Sequence, residues 1–527
     1  MNLLFGLSAL PAASIETPDV NWFALTPVIL VLGGGILGVL FEALLPAKAR
    51  RGTQIVWGLL VMLAAMFTIV YRWKEDPSYV GEYVDDKLTT VMQLVLLAVG
   101  FFAYLLLAER TLAKDGSFAA QPSDRPHSGE EALSLAKGYQ RTEFFPLTLM
   151  SLGGMMMFPA TDSLLTLFVA LEVMSLPLYI MTAAARHRRE ISQEAALKYF
   201  LLGSFASAFF LMGSAFLYGF AGGSLNFHEI ADALPNTVGM DWLLVAGVLL
   251  VMVGLLFKVA AVPFHAWTPD VYTGAPTPVT GFMAAGVKIA VFGAILRFYQ
   301  VVAGYLSWDY ALIFAVIAAL TILVGTVGGL LQKNVKRLLA YSSICHAGFI
   351  LIGALSLVAG SSASVAYYVL SYGVSTVGAF AVISLVRRTS KDETGVTIGA
   401  EANDLDQWAG LAKRSPLLAV SMLIFLLSFA GIPLTSGFVG KFVVFADGIE
   451  GGFGWLVGIA LAASAATAVY YFRLIGTMFF KAPAEGVKAV RSQGYSDVVI
   501  AWCAIVTILL GVYPTPILEL FSQIAIF

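Results

Sequence analysis

The stretch GLLFKVAAVPFHAW, residues 254–267, closes an apolar run that begins near residue 242. A lysine and a proline there interrupt what otherwise reads as a helix suited to lipid. Proline removes a backbone N–H and frees a carbonyl one turn earlier. In a bilayer such a break is tolerated only where the backbone is buried in protein or lines a wet cavity. A second stretch, GIPLTSGFVGKF at residues 431–442, repeats the pattern with Gly431, Pro433 and Lys441. It lies in an apolar run, 416–446, that is longer than the ~20 residues one crossing needs. Both stretches therefore predict discontinuous membrane helices that carry a charge.

Outward from these, a window of ~20 residues marks fourteen candidate spans: 23–45, 53–72, 88–108, 143–158, 162–184, 194–219, 242–265, 277–303, 308–331, 337–359, 363–386, 416–446, 453–480 and 496–520. Composition agrees. Apolar residues make up 59% of the 527 and charged residues 12%, against roughly 45–50% and 25% in soluble domains. The expectation is an all-α polytopic membrane protein. Residues 1–142 hold the first three spans and a polar loop (109–141), residues 143–303 and 304–480 two successive groups of five, and residues 481–527 a last span. The two interrupted, lysine-bearing spans, the seventh and twelfth, fall five positions apart and suggest two inverted five-helix repeats, a recurring transporter design.

Lysine and arginine set the orientation. Of 31, six lie within spans and three (Arg72, Lys74, Lys87) in loops of one side, leaving 22 on the other. That places both termini outside. Residues 1–19 lack the basic start of a cleavable signal, so the first run is expected to be retained. The net charge of −2 gives no reason to expect nucleic acid. Cys345 and Cys503 lie singly in apolar segments, without metal-ligand or disulfide spacing.

The six basic residues within spans are Lys198, Lys258, Lys288, Arg297, Lys441 and Arg473. A charge at a helix centre costs ~2.5–3.5 kcal/mol even on the lenient insertion scale, so it persists by pairing, lining water or working. Arg473, near a helix end, fits snorkelling to the headgroups. Arg297, toward the outer end of its span, leaves snorkelling and function open. Lys198, four residues after Glu194, reads equally well as a surface ion pair. Lys258, Lys288 and Lys441 are mid-membrane or beside breaks and point to function. Glu172, midway along the fifth span, must be protonated or paired with a lysine of another helix. A buried Glu–Lys pair balances desolvation against mutual attraction, so a third charge can change its proton content. His346 and His265 lie near this row, and imidazole suits proton transfer near neutral pH.

Residues 258–280 (KVAAVPFHAWTPDVYTGAPTPVT), 194–203 (EAALKYFLLG), 336–348 (KRLLAYSSICHAG) and 431–442 together resemble the proton-pumping antiporter-like subunits of respiratory complex I. The likeness covers roughly residues 143–480. The WTPDVYTGAPTP wording, Lys441 where M-type chains carry glutamate, and no expected lateral helix after residue 520 resemble the N type. The resemblance implies a proton path through Glu172, Lys258, Lys288 and Lys441. It pairs Glu172 with Lys258, sets Lys198 in the inner half-channel and has His346 link the halves. It also implies that flavin, iron–sulfur clusters and quinone belong to partner subunits, with none bound by this chain. The neighbours would be the related subunit M and the small subunit K, in the inner (plasma) membrane. The alternative is a subunit of a multisubunit cation/proton antiporter without redox partners.

Overall fold

The computed structural model describes residues 20–527 except 112–117, 119–127, 138–140, 186–187, 236–238, 240, 304–306, 393–394, 525 and 527. The N-terminal stretch 1–19, most of the loop 109–141 and the loop histidines His127 and His187 lie outside the described residues.

The chain opens with α1 (Trp22–Leu44) and α2 (Ala47–Tyr71), a hairpin of β1 (Ser78–Val80) and β2 (Tyr83–Asp85), then α3 (Lys87–Leu107). After the short α4 (Gly129–Lys137) come α5 (Phe144–Met157), α6 (Leu164–Thr182), α7 (Arg189–Phe220) and the small α8 (Phe227–Ala233). Next are α9 (Asp241–Val259), α10 (Trp267–Gly274), α11 (Thr277–Phe298), α12 (Ser307–Leu331), α13 (Val335–Ser356) and α14 (Ser361–Leu385). Strands β3 (Val386–Asp392) and β4 (Gly395–Glu401) lead to α15 (Leu411–Arg414), α16 (Pro416–Ala430), α17 (Ser436–Glu450) and α18 (Gly454–Phe480). The chain finishes with β5 (Val487–Ala489), α19 (Tyr495–Val512) and α20 (Thr515–Phe521).

Among the described residues, twelve helices are long and apolar enough to cross a membrane. Two shorter apolar helices, Phe144–Ala160 and Pro416–Ala430, stand at the fourth expected span and the first half of the twelfth. The last expected span, 496–520, is instead two helices, because Pro514 begins a new turn where α19 stops at Val512. The strands are the other departure from an all-helical reading. They are short and lie in connections: β1 pairs with β2, while β3 sits between β4 and β5. The second sheet thus joins the connection after α14 to the one before α19.

Burial separates the helices by role. Every residue of α11 from Thr277 to Phe298 is buried, and α13 and α14 are buried almost throughout. These three form the centre. On α19, by contrast, Val498, Trp502, Ile505, Leu509 and Val512 form an exposed apolar stripe at helical spacing. Soluble proteins rarely leave such continuous apolar surface open, whereas lipid covers it without penalty. This is a multi-pass membrane protein.

Both interrupted helices end alike. At the end of α9 the chain turns through Ala260, with φ of +64°, and the N–H of Ala261 reaches back to Leu256 O at 2.9 Å. Residues 260–266 then run without a membrane-length helix, through a cis Val262–Pro263 bond, into α10. At the end of α16, Gly431 takes φ of +80° and the N–H of Ile432 bonds Leu427 O at 3.0 Å. The short link to α17 contains Leu434 at φ of +71°. Left-handed residues are the usual way to stop a helix. For Ala and Leu they carry a conformational cost of order 1–3 kcal/mol that the surrounding packing must hold.

Candidate functional site

Each break leaves helix-end carbonyls without intrahelical partners, at the negative end of a helix dipole. Lysines occupy both ends. Lys288, on the fully buried α11, donates from Nζ to Val259 O, the last residue of α9, at 2.8 Å. Lys441, on α17, donates to Phe429 O at 2.9 Å and Ala430 O at 3.0 Å, the last two carbonyls of α16, and to Ser464 Oγ at 2.8 Å. Gly431 is fitted to this contact: a Cβ there would lie 2.9 Å from Lys441 Cδ and 3.1 Å from Nζ.

Lys258 stands at the last turn of α9, one residue before the carbonyl that holds Lys288. Its Nζ donates to Ser175 Oγ at 2.8 Å and to Tyr179 OH at 3.2 Å, and lies 5.4 and 5.6 Å from the Tyr179 and Tyr199 ring centroids. Lys258 and Lys288 are each 2% exposed and Lys441 5%. Among the described residues none of the three has a carboxylate in ion-pair contact; serines, tyrosines, carbonyls and ring faces hold them.

Glu172 departs from the expected pairing. Its Oε1 accepts from Ser207 Oγ of α7 at 2.6 Å, and it is partly exposed. Ser175, one turn further along α6, is the residue that meets Lys258. Acid and lysine thus lie against neighbouring turns of one helix, because α6 turns its carboxylate toward α7 and its serine toward α9.

His346 lies between the two lysine-bearing breaks. Its Nδ1 is 2.8 Å from Tyr368 OH and its Nε2 3.4 Å from Tyr471 OH, and the Tyr471 hydroxyl in turn meets Ser342 Oγ. The ring packs on Tyr372 and Phe429, with centroids 5.3 and 5.6 Å apart. Tyr372 also lies under Lys288, 5.9 Å from its Nζ, and Phe429 carries one of the carbonyls that bind Lys441. The order Lys258, Lys288, His346, Lys441 is therefore a contiguous packed row through the interior. The tyrosines of this row carried no signal that separated them from ordinary core residues in sequence.

Lys198 sits apart from the row. Its side chain is 41% exposed and pairs with Glu194 at 2.5 Å and Asp270 at 2.8 Å; Arg337 also binds Asp270 at 2.8 Å. The i,i+4 pair is present, extended by the broken-helix region. Lys336, beside this group, is a buried lysine that the span boundaries hid: its Nζ donates to Ala275 O at 3.2 Å. The stretch 336–348 opens on it, the one sequence signal that could have marked it. The buried Nδ1 of His265 makes no hydrogen bond among the described residues.

The remaining basic residues are structural. Arg297 is fully buried and pairs with Asp86 at 2.8 Å, with further bonds to Thr89 Oγ1 and Pro159 O. Asp86 also caps α3 by accepting from Thr89 N. Arg473, exposed near the end of its helix, binds Leu330 O and Gln332 O at 3.0 and 2.6 Å and so caps the end of α12. Among the described residues no group of three or more His, Cys, Asp or Glu stands together as a metal site requires.

Residues 161–467 match the family described as NADH:quinone oxidoreductase/Mrp antiporter, TM. A protein of Beutenbergia cavernae named NADH-quinone oxidoreductase subunit N is 49% identical over 524 residues, covering 96% of this chain and 98% of the relative. One of the same name from Mycobacterium tuberculosis is 44% identical over 532 residues, 97% and 99% of the two chains. Among solved structures, a chain of respiratory complex I from Thermus thermophilus with bound aureothin superposes with a TM-score of 0.75 at 31% identity, over 95% of this chain and all of that one. A chain of the Mrp complex from Dietzia shares the fold, with a TM-score of 0.76 at 21% identity over 96% and 97%. Matched over more than half its length and bracketed by relatives of one name, the chain belongs to the NADH:quinone oxidoreductase/Mrp antiporter family of membrane proteins.

Proposed function

We propose that this chain is a proton-translocating membrane subunit, of the N type, in an NADH–quinone oxidoreductase, and that protons cross it along Lys258, Lys288, His346 and Lys441. The observation that carries this is the row of three buried ammonium groups held, among the described residues, by neutral partners only. A buried charge with a fixed counter-ion is locked in one state. A charge held by hydroxyls and helix-end carbonyls can lose its proton and keep its hydrogen bonds in part, so its state follows nearby charges. Glu172, one turn from Ser175, supplies the charge that biases Lys258, and water bridges the intervening gap. Lys198, in the ion cluster with Asp270, lies at the mouth from which protons enter.

In this reading the subunit is part of a translocase whose redox chemistry lies elsewhere. Flavin, iron–sulfur clusters and quinone are held by partner subunits, and the direct neighbours are the related subunit M and the small subunit K. The chain sits in the inner (plasma) membrane with both termini outside. Lys288→Met tests the path, since methionine keeps the bulk and removes the proton-carrying group. In inverted membrane vesicles, NADH-driven acidification per assembled complex is expected to fall at least about tenfold, an effect of ~1.4 kcal/mol or more on the rate-limiting barrier. Undiminished pumping would overturn the reading.

A further inference from the structure

A cavity of about 660 Å³ opens between the start of α16, the start of α19 and the segment around β5. Its volume falls within the ~300–1,000 Å³ of small-molecule sites. Two kinds of wall meet in it. Arg414, Arg491 and the hydroxyls of Ser415 and Ser421 line one part, and Leu417, Ile500 and other apolar side chains line the rest. Arg414, Ser415 and Arg491 stand just before α16 and α19, while Leu417, Ser421 and Ile500 lie in the first two turns of those helices, so the cavity spans the junction between polar connection and apolar helix.

The guanidiniums differ in their commitments. Arg414 binds the carbonyls of Val487, at 2.6 Å, and Ala484, so it is fixed in place by the loop before β5. Arg491 is exposed and, among the described residues, makes no hydrogen bond or ion pair. Ser421 faces the cavity from within α16, and its hydroxyl likewise has no hydrogen-bond partner among the described residues. Asp497 is the one acidic side chain in the wall. Arg414 and Arg491 face Asp497 across the cavity, and Glu109 behind the wall, which accepts from Ser492 Oγ at 2.7 Å, is offset by nearby Arg51; the balance leaves a net positive site suited to a single phosphodiester, which arginine binds in a planar, two-pronged fashion. Leading away from it, the exposed stripe of α19 through Val498, Trp502 and Ile505 gives an acyl chain an apolar track into the bilayer.

We propose that this cavity binds one anionic glycerophospholipid, its phosphate between Arg414 and Arg491 and an acyl chain along α19. A soluble phosphate would use the arginines and leave the apolar wall unexplained; a zwitterionic lipid would set its cationic group in an already positive site. The lipid ties the connection before α19 to α16, and so stabilises the end of the discontinuous helix that carries Lys441.

A photoactivatable phosphatidylglycerol with its reactive group near the glycerol tests this on membranes containing the whole assembled complex, with the labelled peptides mapped. Label is expected in residues 414–421 and 489–501, displaced by unlabelled phosphatidylglycerol and resistant to phosphatidylcholine and to millimolar inorganic phosphate. Arg491→Gln, which breaks no contact within the described chain, is expected to lower the labelling affinity about tenfold, the loss of one charge-assisted pair. Asp497→Asn is expected to raise it. Displacement by inorganic phosphate, equal displacement by phosphatidylcholine, or unchanged labelling of Arg491→Gln would each overturn the proposal. So would efficient cross-linking of Leu417→Cys to a neighbouring subunit, since a protein would then fill the cavity.

Discussion

Lys258 shows how one residue ties chemistry to packing. Its ammonium is solvated by Ser175, Tyr179 and two ring faces, which also surround a methionine of similar length. Lys258→Met is therefore expected to assemble and to lose both proton transfer and coupled quinone reduction, measured together in inverted vesicles. Lys258→Arg keeps the charge, yet arginine holds its proton above pH ~12, so it is expected to fail as well; normal pumping by both variants would sink the lysine relay. Arg473→Met is the control, removing only exposed caps on α12. Glu172 divides charge from shape in the same way. The Ser207 hydroxyl that binds Glu172 can equally donate to the carbonyl of a glutamine. Glu172→Gln is thus expected to fold and to pump far less than Glu172→Asp; equal defects at equal assembly would reduce the carboxylate to packing. Arg297 and Asp86 predict the opposite phenotype. Removing one partner of a buried pair costs ~3–5 kcal/mol, so Arg297→Met is expected to lower the amount of assembled complex, read on native gels, more than its turnover per complex.

At the scale of elements, the two breaks are where the fold and the site become one structure. A helix that stops inside the membrane exposes carbonyls to an environment that cannot hydrate them, and a lysine from a neighbouring helix supplies the missing donors. Neither half is stable alone: the carbonyls need the lysine, and the lysine needs the carbonyls. The second break makes this testable. Gly431 has a left-handed backbone and no room for a Cβ beside Lys441. Gly431→Ala combines a backbone cost of ~1–2 kcal/mol with displacement of Lys441. Proton pumping is expected to fall several-fold beyond any loss of assembly; a loss confined to assembly would mean that the lysine's position is immaterial.

For the whole molecule, lysine and arginine counts predict an orientation, and the two buried cysteines make it measurable. Cys345 and Cys503 are buried, so a membrane-impermeant maleimide meets little background. Gly129, at the start of α4, has no neighbour among the described residues within 4 Å of an added Cβ. Gly129→Cys is expected to label in inverted vesicles and to stay unlabelled in intact cells; labelling in intact cells would reverse the topology. The central helices α11, α13 and α14 carry Lys288, His346, Tyr368 and Tyr372, while the outer ones meet lipid. The charge row thus occupies the part of the bundle that lipid never reaches, where a fixed hydrogen-bond geometry can be kept.

The sequence alone determined that the chain is a membrane bundle, where two of its helices break, and which of the span lysines lie too deep to snorkel. Those properties follow from local hydropathy, from proline and glycine, and from the cost of burying charge, all of which act along the chain. Only the tertiary structure decided what each charge meets. Lys258 turned out to lie against Ser175 and Tyr179 and not directly on Glu172, Arg297 found Asp86, and Lys336 became buried under segments distant in sequence. Hydropathy is a sum over neighbours in the chain, whereas a hydrogen bond depends on the angle at which two helices present their side chains. Positions 172 and 175 stand about 60° apart around α6, so a turn of that size would bring the glutamate to where the serine now faces α9, and no window along the sequence registers that turn.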